Sequence, residues 1–243
     1  VDPVLVLIHG DDIPLGLLGE ALAEAGVPIR EVGLHRGESI PPLDGHSGLV
    51  VLGGTMGAYD EDDHPWLVDE KRVIREAHDS GMPMFGICLG VQLFADALGG
   101  RAYLAQDGPE IGHLAPEITP AGHEDPVVRH LDQPVVSWHR DTFDLPPGAT
   151  LLAASDRFPH AFRLGSAVAI QSHPEAATDV VGGWIEHDRD AGMLRSAGID
   201  APGLLQAVAD GEFVQREMAR RLFGAWVEEV VKYRTREAGS VEG

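Results

Sequence analysis

The chain has 243 residues and a formal net charge of -21, with 18 Lys and Arg against 39 Asp and Glu. That balance argues against nucleic acid or an anionic membrane surface as partner, because both are held by clustered Lys and Arg, and the excess acid reads as solubility spread over several faces. The length suits one large α/β domain over 1–243, with a core over about 4–190 and a helical C-terminal extension over about 191–234. The single cysteine, Cys88, allows no internal disulfide and fits a reducing compartment.

Val4 to Ile8 is a continuous aliphatic run, as in a parallel strand covered on both faces. It is too short to span a bilayer and lacks the basic flank of a signal peptide, so the expected location is the cytoplasm. Leu15 to Ala25 has helical spacing, Val27 to Leu34 returns as a strand, Gly37 to Gly48 has loop composition, and Leu49 to Leu52 is a third buried strand. This alternation predicts a parallel sheet with helices on both faces.

The third strand runs into Gly53-Gly54-Thr55-Met56-Gly57. Three glycines in five residues mean positive φ or close approach to another group. At the carboxyl end of a parallel strand, where such sheets place ligands, the N–H groups of this loop are candidates for an oxyanion hole. A phosphate loop is the rival reading, although neither Gly-Lys-Ser/Thr nor a full G-x-G-x-x-G is present; a plain glycine turn is the other. After the acidic run Asp60 to Asp63, Pro65 opens a helix to about Ser80 with Leu67, Val73, Ile74 and Ala77 inward.

Pro83 to Gln92 reads P-M-F-G-I-C-L-G-V-Q. Met84, Phe85 and Ile87 form a buried strand, and from Leu89 the apolar spacing becomes helical, so Cys88 occupies a strand-to-helix corner. Gly86 and Gly90 flank it as G-x-C-x-G, the cysteine counterpart of a serine elbow. A thiolate there faces the first turn of a helix, whose unpaired N–H groups and dipole favour the ionised form. On these five residues alone, a nucleophile and a small buried hydrophobe are equally good readings.

Gly99 to Leu104 and Ile111 to Thr119 are expected as strands, and Pro134 to Trp138 as another, ending at Trp138-His139-Arg140-Asp141. Thr150 to Ala154, Ala161 to Leu164 and Ala167 to Gln171 follow, the last two as a hairpin around Gly165-Ser166. The final strand delivers Gln171-Ser172-His173-Pro174-Glu175. Pro174 holds His173 out of the helical region, and in extended backbone His173 and Glu175 share a face, so the carboxylate can orient the imidazole. The remainder reads as helical, with stripes at Val180, Val181, Trp184 and Ile185 and at Val214, Met218, Leu222, Trp226 and Val230, and with fraying beyond about Arg234.

Taken together, V-L-G-G-T-M-G-A-Y-D-E-D, G-I-C-L-G-V-Q and Q-S-H-P-E, in this order, resemble the class I glutamine amidotransferase family, in particular the free-standing group similar to the amidotransferase domain of GMP synthase. The resemblance covers roughly Val4 to Trp184. It implies an α/β fold: a doubly wound, mixed and mostly parallel sheet with flanking helices, flavodoxin-like. It also implies that Cys88 attacks the side-chain amide of glutamine, that His173 acts as base and then acid, and that Glu175 orients His173. Gly54 and Leu89 would be the backbone oxyanion donors, and Gly53, Thr55, Gln92, Trp138 and His139 would line the glutamine pocket. No metal and no cofactor is implied.

Ammonia would pass to a synthetase partner; the sequence leaves a homodimer open. Thr55 and Ser172 depart from that pattern, Thr55 from a common proline and Ser172 from a common aromatic. The departures motivate a second enzyme reading, a stand-alone hydrolase of γ-glutamyl amides or peptides with a roomier or more polar pocket. A non-catalytic binding module is the third reading, and an intact Cys88, His173 and Glu175 speak against it.

Overall fold

The computed structural model describes residues 2–241, with the side chains of 189–191 and 236–241 left aside. Its strands are β1 Val4–Ile8, β2 Ile29–Gly33, β3 Gly48–Val51, β4 Met84–Ile87, β5 Arg101–Leu104, β6 Glu110–Leu114, β7 Glu117–Ile118, β8 Val135–His139, β9 Asp141–Asp144, β10 Thr150–Ala154, β11 Pro159–Leu164 and β12 Ala167–Ile170. Its helices are α1 Gly16–Glu24, α2 Trp66–Asp79, α3 Leu89–Ala97, α4 Pro120–Glu124, α5 Thr178–Ala191, α6 Met193–Ser196 and α7 Ala201–Val241.

Eight strands form one sheet in the order β2-β1-β3-β4-β12-β11-β10-β7. The first five in that order are parallel, and β11, β10 and β7 continue antiparallel. Alternation along each central strand divides the core in two. Val4, Val6, Val50, Phe85, Ile87, Val168 and Ile170 face α1 and α7. Leu5, Leu7, Leu49, Val51, Met84, Ala167 and Ala169 face α2 and α3. On the first face Phe223 and Trp226 of α7 meet Phe85 edge-on, each with its ring centroid 5.5 Å away. The C-terminal helix thus covers the sheet directly. It runs to Val241, past the expected fraying point near Arg234.

Most strand expectations agree with this architecture to within a residue or two, including the β11–β12 hairpin, but three segments differ. Ile111 to Thr119 is not one strand. Glu110–Leu114 pairs with β8 in a two-stranded ribbon, Pro116 interrupts the run, and Glu117–Ile118 crosses to the edge of the main sheet beside β10. Thr119 then caps α4, its Oγ1 accepting the Gly122 N–H at 3.0 Å with Pro120 in the first turn. The sequence reading also passed over β9, whose polar D-T-F-D pattern lacks a strand's apolar alternation and is fixed by pairing with β5. Strand β2 begins at Ile29 rather than Val27, because Pro28 has no N–H to give the ladder.

Candidate active site

Sheet order explains why residues 53, 88 and 173 meet. Strands β3, β4 and β12 are immediate neighbours and parallel, so the loops leaving their carboxyl ends converge. Such an edge is where open α/β sheets bind ligands.

Cys88 is the sole non-glycine residue with positive φ among those described (φ 54°, ψ -103°). This conformation costs about 1–3 kcal/mol and is held only where the surroundings over-determine it. Here the Cys88 N–H donates to Ile170 O at 2.9 Å, while its carbonyl accepts Val91 N–H at 3.1 Å and starts α3. The flanking glycines are required by space. A Cβ on Gly90 would lie 2.2 Å from Val51 O, and one on Gly86 would lie 2.9 Å from the Gly90 carbonyl. The elbow therefore presses the start of α3 onto the end of β3.

His173 leaves β12 with its N–H donating to Val136 O at 2.7 Å, which ties it to β8. Its Nδ1 lies 2.8 Å from Glu175 Oε1, both side chains being buried. Glu175 is fixed in turn by its own carbonyl, which accepts the Leu17 N–H at the start of α1 at 3.0 Å. Trp184 of α5 packs edge-on against the imidazole at 4.7 Å and anchors itself by donating Nε1–H to Asp12 O at 2.8 Å. Burial alone would lower the His173 pKa, but the Glu175 carboxylate and the Cys88 sulfur outweigh it and raise it to about 10.

The sign of the pH effect follows from that shift. Up to neutral pH His173 is an imidazolium, able to protonate a leaving amine, and it loses this proton as pH rises through about 10. The kcat/KM of any hydrolysis at this site should hold through neutral pH and fall on an alkaline limb near that value. A limb near 6.5 would contradict the assignment. Because the folded-state pKa lies above the ordinary 6.5, the shift also favours folding fully below pH 6.5, and this contribution is lost as pH rises toward 10.

A cavity of 340 Å³ opens over Cys88 and His173, within the size range of small-ligand sites. Gly53, Gly54, Thr55, Gln92, Trp138 and His139 all line it, so of the expected site residues only Leu89 and Glu175 stand outside the wall. Leu89 lies just behind, its Cδ2 only 2.5 Å from where a Gly54 Cβ would stand. The glycines of this loop serve close approach rather than positive φ. Ser172 is fully buried and outside the wall, so it does not widen the pocket as the sequence reading expected. A larger cleft of 590 Å³, between residues 40–46 and α2, contains none of the motif residues.

Two pocket residues use their polar atoms to fix the wall. Gln92 donates through Nε2 to Asp141 O and Gln171 Oε1, both at 3.3 Å. His139 shares Nδ1 with Asp141 O at 2.9 Å and turns Nε2 toward Glu110, 3.2 Å away, so its polar atoms serve the scaffold. Glu110 also meets His160 Nε2 at 2.6 Å and accepts from Ser137 and Ser155. Burial would raise the Glu110 pKa, but hydrogen bonds from His139 and His160 hold it well below the usual carboxylate range. Among the described residues this trio alone brings three potential metal-binding side chains together, their donor atoms within 4.8 Å of one another. The contacts between them already form a closed hydrogen-bonded cluster that braces β6 against β8.

Sequence reasoning missed Trp184, Asp141, His9 and Glu70 as parts of this region. Trp184 sits in an amphipathic stripe that reads as core, and Asp141, whose Oδ2 accepts from Tyr59 at 3.2 Å, lies two residues beyond His139 with no motif of its own. His9 carried one usable signal: it directly follows β1, beside the loop that leaves β3.

The model of the family "Glutamine amidotransferase class-I" matches residues 17–185. The chain belongs to the class I glutamine amidotransferase family. A glutamine amidotransferase crystal structure from Thermotoga maritima superposes with a TM-score of 0.84 at 33% identity, covering 93% of this chain and 98% of that one. The GMP synthase of Thermomicrobium roseum is 32% identical over 146 residues, 57% of this chain and 25% of the synthase. Gamma-glutamyl peptidase 4 of Arabidopsis thaliana is 28% identical over 151 residues, 57% of each chain. This amidotransferase chain therefore spans about a quarter of that synthase and about half of that peptidase. Among its described residues no helix is long and apolar enough to cross a membrane.

Proposed function

We propose that this amidotransferase hydrolyses the side-chain amide of glutamine through a Cys88 thioester and supplies the ammonia to a synthetase partner. One observation carries the reading: Cys88 on its strained elbow, His173 backed by Glu175, and the Gly53-Gly54 loop come together at the ends of three adjacent strands, with Cys88, His173 and both glycines lining one small cavity.

The Cys88 sulfur attacks the carboxamide carbon, and the C=O electron pair moves onto oxygen, stabilised by the N–H groups of Gly54 and Leu89. As the C–N bond breaks, His173 gives its proton to nitrogen and ammonia leaves. A water then loses a proton to His173 and adds to the thioester carbon. Collapse releases glutamate and returns the sulfur to Cys88. Glu175 holds the imidazole in the required tautomer throughout, its Oε1 facing Nδ1.

The likeness to gamma-glutamyl peptidase 4 and the threonine at the pocket wall favour one second reading, a stand-alone hydrolase of γ-glutamyl amides or peptides by the same chemistry. Parallel assays of glutamine and a γ-glutamyl dipeptide panel, measuring ammonia against released amine, separate the two. A higher kcat/KM for glutamine supports the first, the reverse order selects the second, and turnover of neither overturns both. Recovery of an ATP-using enzyme with the tagged protein from its native cell would support the synthetase partner.

A further inference from the structure

His9 and Glu70 form a buried pair that the chemistry above leaves unused. His9 directly follows β1, Glu70 lies on α2, and both side chains are fully excluded from solvent. His9 Nε2 lies 3.0 and 3.2 Å from the two Glu70 oxygens, and its Nδ1 lies 2.9 Å from Gly53 O. A carbonyl oxygen only accepts, so Nδ1 must carry a proton and donate it. Trp66 stacks on the ring, with centroids 5.4 Å apart and planes 22° from parallel, and fixes its plane.

Gly53 O belongs to the peptide that joins Gly53 to Gly54. Every described peptide bond is trans, so the Gly54 N–H points opposite to the Gly53 carbonyl. His9 holds the carbonyl from outside the cavity, since it is absent from the wall that Gly53 and Gly54 form with Cys88. The Gly54 N–H, at the opposite end of the same peptide plane, is thereby directed away from His9. Without such an anchor two consecutive glycines would leave this plane free to rotate. A donor on the carbonyl also polarises the peptide and strengthens its N–H as a hydrogen-bond donor.

From this geometry we infer that His9, held by Glu70, is a positioning residue that fixes and polarises the Gly53–Gly54 peptide so that the Gly54 N–H is preorganised for the developing oxyanion. The inference rests on the proposed amidohydrolase reading and deepens it. Both ring nitrogens face acceptors, Gly53 O and the Glu70 carboxylate, and although burial lowers the His9 pKa the Glu70 carboxylate outweighs it and raises it, which favours a charged donor on the Gly53 carbonyl.

The test compares wild type with His9→Phe, which keeps a ring against Trp66 but removes the donor, and His9→Asn, whose side-chain nitrogen can occupy the Nδ1 position. Losing an oxyanion donor outright costs ~10²–10³ in kcat, so His9→Phe should lose about 10–100-fold in kcat with KM within about threefold. His9→Asn should recover part of that loss. Glutamate γ-semialdehyde adds to Cys88 as a tetrahedral thiohemiacetal whose oxygen occupies the same hole, so its affinity should fall in step with kcat/KM. The affinity of the product glutamate should stay unchanged. A purely structural pair would instead change both affinities or neither.

A folded His9→Phe with wild-type kcat, or with undiminished aldehyde affinity, overturns the inference. If His9→Phe does not fold, Glu70→Gln and His9→Asn decide it by the same two affinities. A wild-type protein that neither turns over γ-glutamyl substrates nor binds the aldehyde overturns the amidohydrolase reading itself, which no result on His9 alone would do.

Discussion

Cys88→Ala should leave a folded protein with no measurable amidohydrolase activity, a loss of about 10⁴-fold or more in kcat. The magnitude follows from the chemistry. In the proposed mechanism the remaining groups could still bind substrate and stabilise an oxyanion, but the bond-forming sulfur is gone, and His173 and Glu175 would have no thiolate or thioester to act on. Stability should respond in the other direction once the backbone is considered. Cys88 holds φ at 54°, a value that glycine adopts at little cost. Cys88→Gly should therefore be just as inactive as Cys88→Ala yet unfold at higher denaturant, by a share of the roughly 1–3 kcal/mol stored in the elbow. Urea titration of the two inactive variants measures this directly. Equal midpoints would mean that the elbow stores no such strain.

Gly90→Ala should be among the most disruptive single substitutions in the chain. In an ordinary helix the exchange stabilises by about 0.5–1 kcal/mol, because alanine restricts the unfolded chain. At this position the added methyl would lie 2.2 Å from Val51 O, a backbone atom at the end of β3 that has no rotamer to move into. Steric overlap wins over propensity, and the loss should reach about 3 kcal/mol or more, the upper end of overpacking costs. Any protein that still folds must tilt α3 away from β3, which carries Cys88 and the Leu89 N–H with it, so activity should fall further than stability alone explains. A Gly90→Ala protein with native stability and kcat would refute the packing account of the elbow.

These two residues also show which parts of the molecule were legible in the sequence. G-x-C-x-G can be read because the constraint is local: strand, corner and helix are consecutive, and the glycines mark where backbones touch. H-P-E can be read because its partners are two residues apart, although the 2.8 Å contact of His173 Nδ1 with Glu175 is made across a turn, with the Ala176 N–H donating to His173 O at 3.3 Å, and not along the extended backbone that was expected. The features that were missed depend on partners far away in the chain. Ile111 to Thr119 has one apolar pattern but two pairing partners, β8 and β10, and no local rule divides it. His139 does line the cavity, but the engagement of its Nε2 by Glu110, 29 positions earlier, has no local signal. His9 meets Glu70 across 61 residues, a pairing set by the sheet order and invisible to periodicity.

The central claim is that Cys88 is the one nucleophile in a pocket shaped for a γ-glutamyl group. It is tested most directly by the intact mass and peptide map of the protein after exposure to a γ-diazoketone analogue of glutamine. Wild type should gain a single adduct on the Cys88 peptide, excess glutamine should slow its formation, and Cys88→Ala should gain none. Equal labelling of Cys88→Ala, or an adduct on any other residue, would contradict the account.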